Sequence, residues 1–454
     1  MSMQALLSEV ERALYWAAWL LIFLITAGFS IYSFREKRPW AGLKGLVILC
    51  VMVFPAVAGY DLSSGRETLL LAWPGLVLLA AFLVFGRVGT TSGLEFVGPL
   101  ERFDERDTMF AREEYLPSTD KYRQYYSTHP ENKDADDRIR KLPKLLEPGG
   151  RFFQPFSARY IQAVFDQIKS RLNEVDGPVE KEKLDVDPLE ITARLKEVTL
   201  AIGALQVGVA EMNQAFVYTN AGRGPSPFGS LIENRHKYAL VFSVEMDYRE
   251  IDKAPLLDAT KETARRYLDV ANLSLLLASV IRKLGYPARA HIPESNYQVI
   301  LPALAWQAGL GELGRNGYLI SGKAGARVRL GAVTTDLPLV ADRPVVLGVQ
   351  DFCAKCRRCA QACPPRAIPL GEKINVRGVL KWQLKAEACL SYWRAIGTDC
   401  GICMKVCPFS HPSNLFHDAV RFGISRSAPG RGIFLVAEEL MYGKIKGKSP
   451  GTPG

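Results

Sequence analysis

Histidine is scarce in this chain, which has five among 454 residues and none before His129. The apolar N-terminal part therefore lacks a pair of histidines that could ligate a haem between membrane helices. Basic residues are dispersed rather than interleaved with aromatic residues, so the net charge of +10 does not indicate a nucleic-acid groove. It fits a face near anionic lipid instead. No segment has the pattern of a flavin or nicotinamide dinucleotide domain, so a partner must supply any electrons.

Charged residues are also few in the first ninety positions, where three apolar runs follow one another at 13–34, 44–60 and 68–85. Each run approaches the ~20 residues that cross a bilayer core. Three N-terminal transmembrane helices in an integral membrane protein are therefore expected. A buried helical hairpin with a single anchor is the alternative. No cleavage site of small residues stands out, which argues against a removed signal peptide.

Basic residues predict the orientation of these runs. Arg35, Lys37, Arg38 and Lys44 follow the first run, so this loop is expected in the cytoplasm by the positive-inside rule. Three spans would then place the large C-terminal part in the cytoplasm. The absence of a twin-arginine motif before the first run agrees with that placement.

The rest of the chain divides by composition and periodicity. After the anchor at 1–90, we expect a charged connecting segment at 91–190, a mixed core at 191–345, a cysteine-rich domain at 346–425 and a tail at 426–454. Within the core, periodicity predicts a helix at 189–204, strands at 205–212, 236–248 and 326–339, and a long amphipathic helix at 260–286 that Gly285 ends. The fold class is therefore α+β.

Eight of the nine cysteines lie between Cys353 and Cys407, while Cys50 lies in an apolar run. The first four have the C-x2-C-x2-C-x3-C-P spacing that is typical of ferredoxin-like 4Fe–4S sites, with zinc as the competing metal. The x3-C-P step directs its cysteine to the other cluster. Two ligand sets are therefore predicted: Cys353, Cys356, Cys359 and Cys407 for one cluster, and Cys389, Cys400, Cys403 and Cys363 for the other.

The second cysteine motif is opened up, because ten residues separate Cys389 from Cys400 where two would be usual. A cluster needs four sulfurs close in space and not in sequence, so the extra residues are free for another use. We expect LSYWRAIGTD to form a loop beside the cluster.

Three motifs in this order resemble those of the corrinoid-dependent reductive dehalogenases. They are AGLGELGRNGYLISGKAGARVRL at 308–330, TDLPL at 335–339 and the dicluster block. The resemblance covers about 206–422 and, more loosely, ERFDERDTMFAR at 101–112. The related epoxyqueuosine reductases share the corrinoid core and the dicluster block, but they lack membrane spans.

The resemblance implies a nitroreductase-like α/β core that binds a base-off corrinoid without a histidine ligand to cobalt. The chain has no D-x-H-x2-G segment, in agreement. Backbone approach to the macrocycle is expected at glycines of the G-R-N-G region, and its amide side chains would meet a basic and an amide residue there. These candidates are Gly309, Gly311, Gly314 and Gly317, with Arg315 and Asn316. Without the resemblance, the segment is a glycine-rich turn.

The resemblance also implies a tyrosine proton donor on the long helix, which matches Tyr267, with Thr263 one turn earlier. A tyrosine alone is a weak acid, and a neighbouring cation favours its phenolate. The matching cation is Arg329, and Arg327 shares its strand face. Taken alone, Tyr267 is an ordinary amphipathic-helix residue and Arg329 an ordinary surface charge.

Two further segments are expected to shape a substrate pocket. An asparagine near HIPESNY would line it, and both Ser295 and Asn296 are candidates because this region is longer than in other members. Relatives also carry an aromatic loop between the displaced cysteines that reaches the pocket. Trp393, together with Tyr392, is the candidate here.

The leading hypothesis is a membrane-anchored reductive dehalogenase acting on an organohalide such as a halogenated aromatic. Its electron donor would be a quinol, a ferredoxin or a flavoprotein reductase, and assembly into a homo-oligomer is left open. A second hypothesis keeps the corrinoid but changes the substrate to an epoxide or another C–O compound. A third is a membrane-bound dicluster electron-transfer protein.

Overall fold

The computed structural model describes residues 3–36, 39–61, 77, 79–294 and 297–445. These residues form two compact units. One unit combines the N-terminal part up to Ser92 with Ser413–Ile445, and the other contains Gly93–Pro412.

The first unit is helical. Of the described helices, the one that is long and apolar enough to cross a membrane contains the stretch Tyr15–Arg35. The second predicted span falls on a helix whose apolar stretch, Pro39–Val51, is shorter. Most of the third lies outside the described residues, so the number of spans stays a prediction. The helices of this unit are Met3–Arg35, Pro39–Asp61, Leu415–Arg426 and Ala428–Tyr442, with a further helical stretch at 79–85.

The two C-terminal helices of this unit pack on its N-terminal helices. The ring of Phe29 lies 4.9 Å from that of Phe416, and Lys44 Nζ donates to the carbonyl of Leu440 at 2.7 Å. His417 Nε2 and Glu36 Oε1 are 3.0 Å apart, and both side chains are buried. The region predicted as a tail thus contains an ordered helix.

The second unit contains three antiparallel sheets. Their strands are β1 (Glu95–Phe96), β2 (Gln206–Glu211), β3 (Tyr238–Glu245), β4 (Ala288–His291), β5 (Gly311–Leu313), β6 (Leu319–Ser321), β7 (Val328–Thr335), β8 (Ile374–Val376) and β9 (Val379–Lys381). The largest sheet has the strand order β2-β3-β7-β4, the second has the order β1-β9-β8, and β5 and β6 form a hairpin.

Both faces of the largest sheet are buried. Successive side chains of a strand point to opposite faces. On β3, Leu240 and Phe242 join the core cluster that includes residues of the helix Leu257–Lys283. Ala239 and Val241 join the other cluster, which covers the opposite face. This two-sided burial fixes the side chains of β7 relative to the long helix.

Helices surround these sheets. The long helix Leu257–Lys283 ends where Gly285 takes a left-handed backbone (φ 83°), a conformation that favours glycine. The other α-helices are Met109–Glu113, Asp120–Thr128, Pro130–Arg140, Pro155–Lys169, Pro188–Ala201, Tyr248–Ile251, Leu301–Gln307, Val349–Cys356, Arg358–Ala362, Ala386–Ile396 and Ile402–Lys405.

Local sequence patterns predicted the main elements of the core. The predicted helix at 189–204 is Pro188–Ala201, and the predicted long helix at 260–286 is Leu257–Lys283. The three predicted strands are β2, β3 and β7. The short strands β4, β5 and β6 gave no periodic pattern, because three or four residues are too few to show one.

Candidate active site

A cavity of about 220 Å³ lies between the long helix, the start of β7 and the β5–β6 hairpin. Its wall is aromatic and apolar, with one charged side chain. The lining residues are Tyr218, Tyr267, Tyr297, Val299, Leu301, Pro302, Tyr318, Leu319, Val328, Arg329 and Leu330. We call this space the tyrosine cavity.

Three of the predicted site residues meet in this region. Thr263 and Tyr267 are four residues apart and share one face of the long helix. Arg329 on β7 is 7% exposed, and its guanidinium carbon lies 5.0 Å from the centre of the Tyr267 ring. Arg329 Nη2 donates to Thr263 Oγ1 at 3.0 Å. The helix and the strand therefore place a fixed cation against the face of a tyrosine.

The electrostatics of the tyrosine cavity favour one permanent positive charge. Burial lowers the pKa of Arg329, but Tyr267, Tyr318 and Asp399 outweigh that effect, and the net shift is upward. Burial raises the pKa of Tyr297 and Tyr318 well above the ordinary value and that of Tyr218 to about 12. These three tyrosines are therefore neutral at neutral pH and can donate hydrogen bonds to a bound molecule.

Arg327 does not join this group, and its predicted catalytic role is corrected. Its side chain is fully buried and donates to the Ser410 carbonyl at 2.6 Å and to Glu245 Oε1 at 3.0 Å. The guanidinium also lies over the ring of Tyr248. Residue 327 precedes β7, so sharing strand parity with Arg329 did not place both side chains on one cavity.

The glycines of the G-R-N-G region have different reasons for lacking a side chain. A Cβ at Gly311 would lie 2.2 Å from the Ile320 carbonyl oxygen, and one at Gly309 would lie 2.6 Å from that of Arg343. Gly314 is closed off by the side chain of Ile320. Gly311 and Gly314 therefore allow close packing within the hairpin, whereas Gly309 allows close approach of the segment around Arg343.

Gly317 differs from the other glycines of the segment. Its backbone is left-handed (φ 80°), and a Cβ built there would meet no atom within 4 Å. The next residue, Tyr318, lines the tyrosine cavity. An open backbone position beside an apolar cavity allows the close approach of a flat macrocycle, so the residues present are compatible with a corrinoid.

Arg315 is used by the dicluster domain, which corrects its predicted role as a corrinoid partner. Its guanidinium donates to the carbonyls of Cys353 at 3.0 Å, Pro369 at 2.8 Å and Gly371 at 2.8 Å. It also stacks on Trp382, at 4.4 Å from the ring centre. Asn316 is buried, and its Oδ1 accepts from the backbone N–H of Tyr318 at 3.2 Å, which shapes the turn.

The first predicted ligand set converges on one small cavity of about 20 Å³. Its four sulfur ligands come from both motifs, as the x3-C-P rule requires. Burial raises the pKa of each of the first three thiols, so a bound metal would be needed to keep them as thiolates. The cysteines are Cys353, Cys356, Cys359 and Cys407.

The second set is also grouped in space. Burial, followed by the neighbouring charge of Cys363, raises the pKa of Cys389 to about 11. Burial raises that of Cys400 to about 12, with further contributions from Cys389 and Cys363. The pKa of Cys403 is raised mainly by burial and then by Cys400. None of these described cysteines is in a disulfide.

The residues between Cys389 and Cys400 form mostly a helix, so the expected loop is wrong. The helix Ala386–Ile396 ends at Gly397, whose φ of 75° stops it. Trp393 lies one turn after Cys389, where its ring is 5.9 Å from that of Phe110 and its side chain hydrogen-bonds to Cys389. Trp393 is absent from the described lining of the tyrosine cavity and packs beside the cluster instead.

The remaining predicted pocket residues, Ser295 and Asn296, lie outside the described residues. Their neighbour Tyr297 lines the tyrosine cavity. Sequence reasoning missed Tyr218, Tyr297, Tyr318 and Asp399. Tyr318 directly follows G-R-N-G, and Asp399 directly precedes a cluster cysteine, so both had a positional signal. For Tyr218 we find none.

Comparisons with known proteins agree with this geometry. A model of the 4Fe–4S dicluster domain matches residues 352–411, so the predicted iron–sulfur domain is confirmed. The tetrachloroethene reductive dehalogenase of Sulfurospirillum multivorans is 32% identical over 275 residues, which are 53% of this chain and 54% of that protein. The epoxyqueuosine reductase of Salmonella typhimurium is 29% identical over 195 residues, 39% of this chain and 50% of that protein. The chain thus spans about half the length of the curated relatives it matches.

Two solved structures share the fold. One, of a reductive dehalogenase described in terms of B12-dependent dehalogenation, has a TM-score of 0.63 at 24% identity and covers 77% of this chain and 47% of that one. The other, a catabolic reductive dehalogenase in complex with 3-bromo-4-hydroxybenzoic acid, has a TM-score of 0.61 at 23% identity and covers 84% and 54%. The chain therefore has a mixed helix–sheet fold like that of reductive dehalogenases, and the resemblance drawn from the motifs is confirmed.

Proposed function

We propose that this chain is a reductive dehalogenase dependent on a corrinoid and two 4Fe–4S clusters, with the reaction R–X + 2e⁻ + H⁺ → R–H + X⁻. The observation that carries the proposal is strand β6. Its Leu319 lines the tyrosine cavity, and the adjacent Ile320 lines the cavity of the first four cysteines. One strand thus separates an electron carrier from a cavity that holds a tyrosine and a cation.

Cysteines of the second set support the same arrangement. The charge of Cys403 is close enough to Tyr318 to contribute to its raised pKa, after burial. Two clusters passing single electrons would therefore end beside the wall of the tyrosine cavity. Electron delivery and proton delivery meet there.

Gly317 and the cavity wall around Tyr318 and Leu319 would hold the corrinoid. When bound, this cofactor supplies reduced cobalt for breaking the carbon–halogen bond. Tyr267 would donate the proton to the carbon that loses the halogen. Arg329 would stabilise the phenolate left behind, and Thr263 would keep the guanidinium in place by accepting its hydrogen bond.

The substrate is proposed to be a halogenated aromatic. Four tyrosines line the cavity, and aromatic side chains favour stacked or edge contacts with a bound ring. The similar structure that holds 3-bromo-4-hydroxybenzoic acid supports the same class.

The proposed location is the cytoplasmic membrane, with the catalytic part in the cytoplasm. Within the first unit, large apolar side chains of the helix Pro39–Asp61 are exposed, including Trp40 at 76% and Val51 at 65%. The helix Ala428–Tyr442 exposes Ile433, Val436 and Leu440 along one face. Lipid is the solvent that such surfaces fit. Retention in the pellet after alkaline carbonate washing would support integral anchoring, whereas release would contradict it.

The experiment for the activity is Tyr267→Phe in protein loaded with corrinoid and clusters, assayed by halide release from halogenated phenols with reduced viologen. We expect a loss of about a hundredfold or more, typical of removing a general acid. Tyr160→Phe is the matched control, because Tyr160 is an exposed tyrosine of another helix. Unchanged halide release by Tyr267→Phe would remove Tyr267 from the mechanism.

The same protein separates the competing hypotheses. A panel of epoxides assayed beside the organohalides tests for C–O reduction. The similarity to epoxyqueuosine reductases is the reason for this test. Metal analysis tests the electron-transfer hypothesis, which predicts iron without cobalt in protein made with corrinoid supplied. The electron donor is proposed to be a quinol, a ferredoxin or a flavoprotein reductase.

A further inference from the structure

Asp399 connects the second cysteine motif to the long helix. It is 8% exposed and follows the helix that occupies the widened spacing between Cys389 and Cys400. Thr260 Oγ1 donates to Asp399 Oδ1 at 2.7 Å, and the Asp399 backbone N–H donates to the same hydroxyl at 3.3 Å. Thr260 lies one helical turn before Thr263, so Asp399 sits beside the group that holds Arg329.

The other carboxylate oxygen of Asp399 faces that arginine. Asp399 Oδ2 is 3.9 Å from Arg329 Nη2, and each side chain is 9% exposed. A buried cation needs a nearby opposite charge, since removing one partner of a buried pair leaves the other uncompensated. Thr263 contributes only a hydroxyl, and burial keeps Tyr297 and Tyr318 neutral, so these three neighbours of Arg329 supply no such charge.

We propose that Asp399 is a positioning residue, which holds the guanidinium of Arg329 against the ring of Tyr267 and supplies its counter-charge. The proposal rests on the proposed function for its catalytic meaning. It also assigns a use to the ten residues between Cys389 and Cys400. The active site takes a carboxylate from this segment, whereas the aromatic side chain of Trp393 packs beside the cluster.

A purely structural role for Asp399 is the competing explanation. The segment has another anchor, because Thr398 Oγ1 donates to the Pro255 carbonyl at 2.7 Å. Asp399→Asn keeps the size of the side chain and an oxygen that accepts from Thr260, while it removes the charge and replaces the oxygen that faces Arg329 by an amide nitrogen. The variant therefore separates the counter-charge from the packing.

The first measurement is a double-mutant cycle on halide release, using Asp399→Asn, Arg329→Gln and both together. We expect Asp399→Asn alone to lower kcat by about tenfold to a hundredfold with KM changed less than about threefold. In the Arg329→Gln background the same change should cost less than about threefold, since coupled residues are not additive. Full multiplication of the two losses would overturn the proposal.

The second measurement does not depend on the corrinoid or on turnover. Thermal unfolding of the iron–sulfur protein without corrinoid should show an apparent Tm lower by about 5 °C for Asp399→Asn, and a much smaller decrease in the Arg329→Gln background. Glu262→Gln is the matched control, because Glu262 is a buried acid of the long helix Leu257–Lys283 and pairs with Arg266 at 2.6 Å instead of with Arg329. Its effect should be equal in both backgrounds.

Iron content and the EPR spectra of the reduced clusters are recorded for every variant. If Asp399→Asn loses iron, Asp399→Glu takes its place, because it restores the charge and should recover kcat only if the counter-charge matters. Failure of Asp399→Glu to recover kcat with clusters intact would overturn the proposal. If wild-type protein releases no halide at all, the proposed function fails, whereas the Tm cycle still tests the ion pair.

Discussion

Replacing Arg329 by glutamine tests the centre of the proposed site. The variant removes the one charged side chain in the described lining of the tyrosine cavity and leaves a shorter, neutral amide in its place. If Tyr267 gives up its proton during turnover, the phenolate that forms has lost the neighbouring cation. The chemical step should then slow, with little effect on binding of a neutral substrate.

The structure gives the size of this effect. The guanidinium carbon lies 5.0 Å from the centre of the Tyr267 ring. With an effective dielectric constant of about 20, a pair of unit charges at that distance interacts by about 3 kcal/mol, which corresponds to roughly a hundredfold in rate. The variant also leaves the carboxylate of Asp399, which lies 3.9 Å from Arg329, without its cation. We therefore expect kcat to fall by about 30-fold to a hundredfold.

The assay is single-turnover halide release under reduced viologen, on protein with matched cobalt and iron contents. Arg329→Lys keeps the charge but loses the planar donor, and should stay within about tenfold of the wild-type rate. Arg265→Gln is the control, since Arg265 is an exposed arginine on the long helix that carries Tyr267. A rate for Arg329→Gln within about threefold of wild type, at full cofactor loading, would refute the electrostatic argument.

Two other predictions concern the cluster domain and the buried sheet. Arg315→Ala removes the donors to three backbone carbonyls around Cys353. The iron content should therefore fall from about eight towards about four atoms per chain. Retention of the EPR signals of both clusters would contradict this prediction. Burial, followed by the nearby charge of Arg289, lowers the pKa of His291 well below 6.5. Below about pH 6.5 the unfolded chain therefore binds a proton that the folded chain does not. The free energy of unfolding consequently falls as the pH falls. His291→Gln should flatten that dependence, measured as the urea midpoint at about pH 7.5 and 5.5; an unchanged slope would show that another group is responsible.

Features encoded by short-range spacing were predictable from the sequence. The cysteine motifs indicated the dicluster domain, because the x2 and x3 steps themselves determine which sulfurs can converge. The long helix and the strands β2, β3 and β7 followed from their periodicity. Thr263 and Tyr267 share a helix face for the same reason.

The use of individual side chains depended on contacts between distant segments. Arg327 and Arg329 have the same strand parity, yet one is held by Ser410 and Glu245 and the other faces Tyr267. Arg315 belonged by motif to the corrinoid region, but the carbonyls that satisfy its donors come from the cysteine-rich domain.

The widened cysteine spacing shows the same division. The sequence by itself determined that ten residues were available between Cys389 and Cys400, since a cluster constrains sulfurs in space and not the chain between them. Only the tertiary structure decided that they form a helix and end in Asp399 beside Arg329. The physical reason is that the role of a buried charge depends on the opposite charge beside it, and the partner of Asp399 lies 70 residues away in the chain.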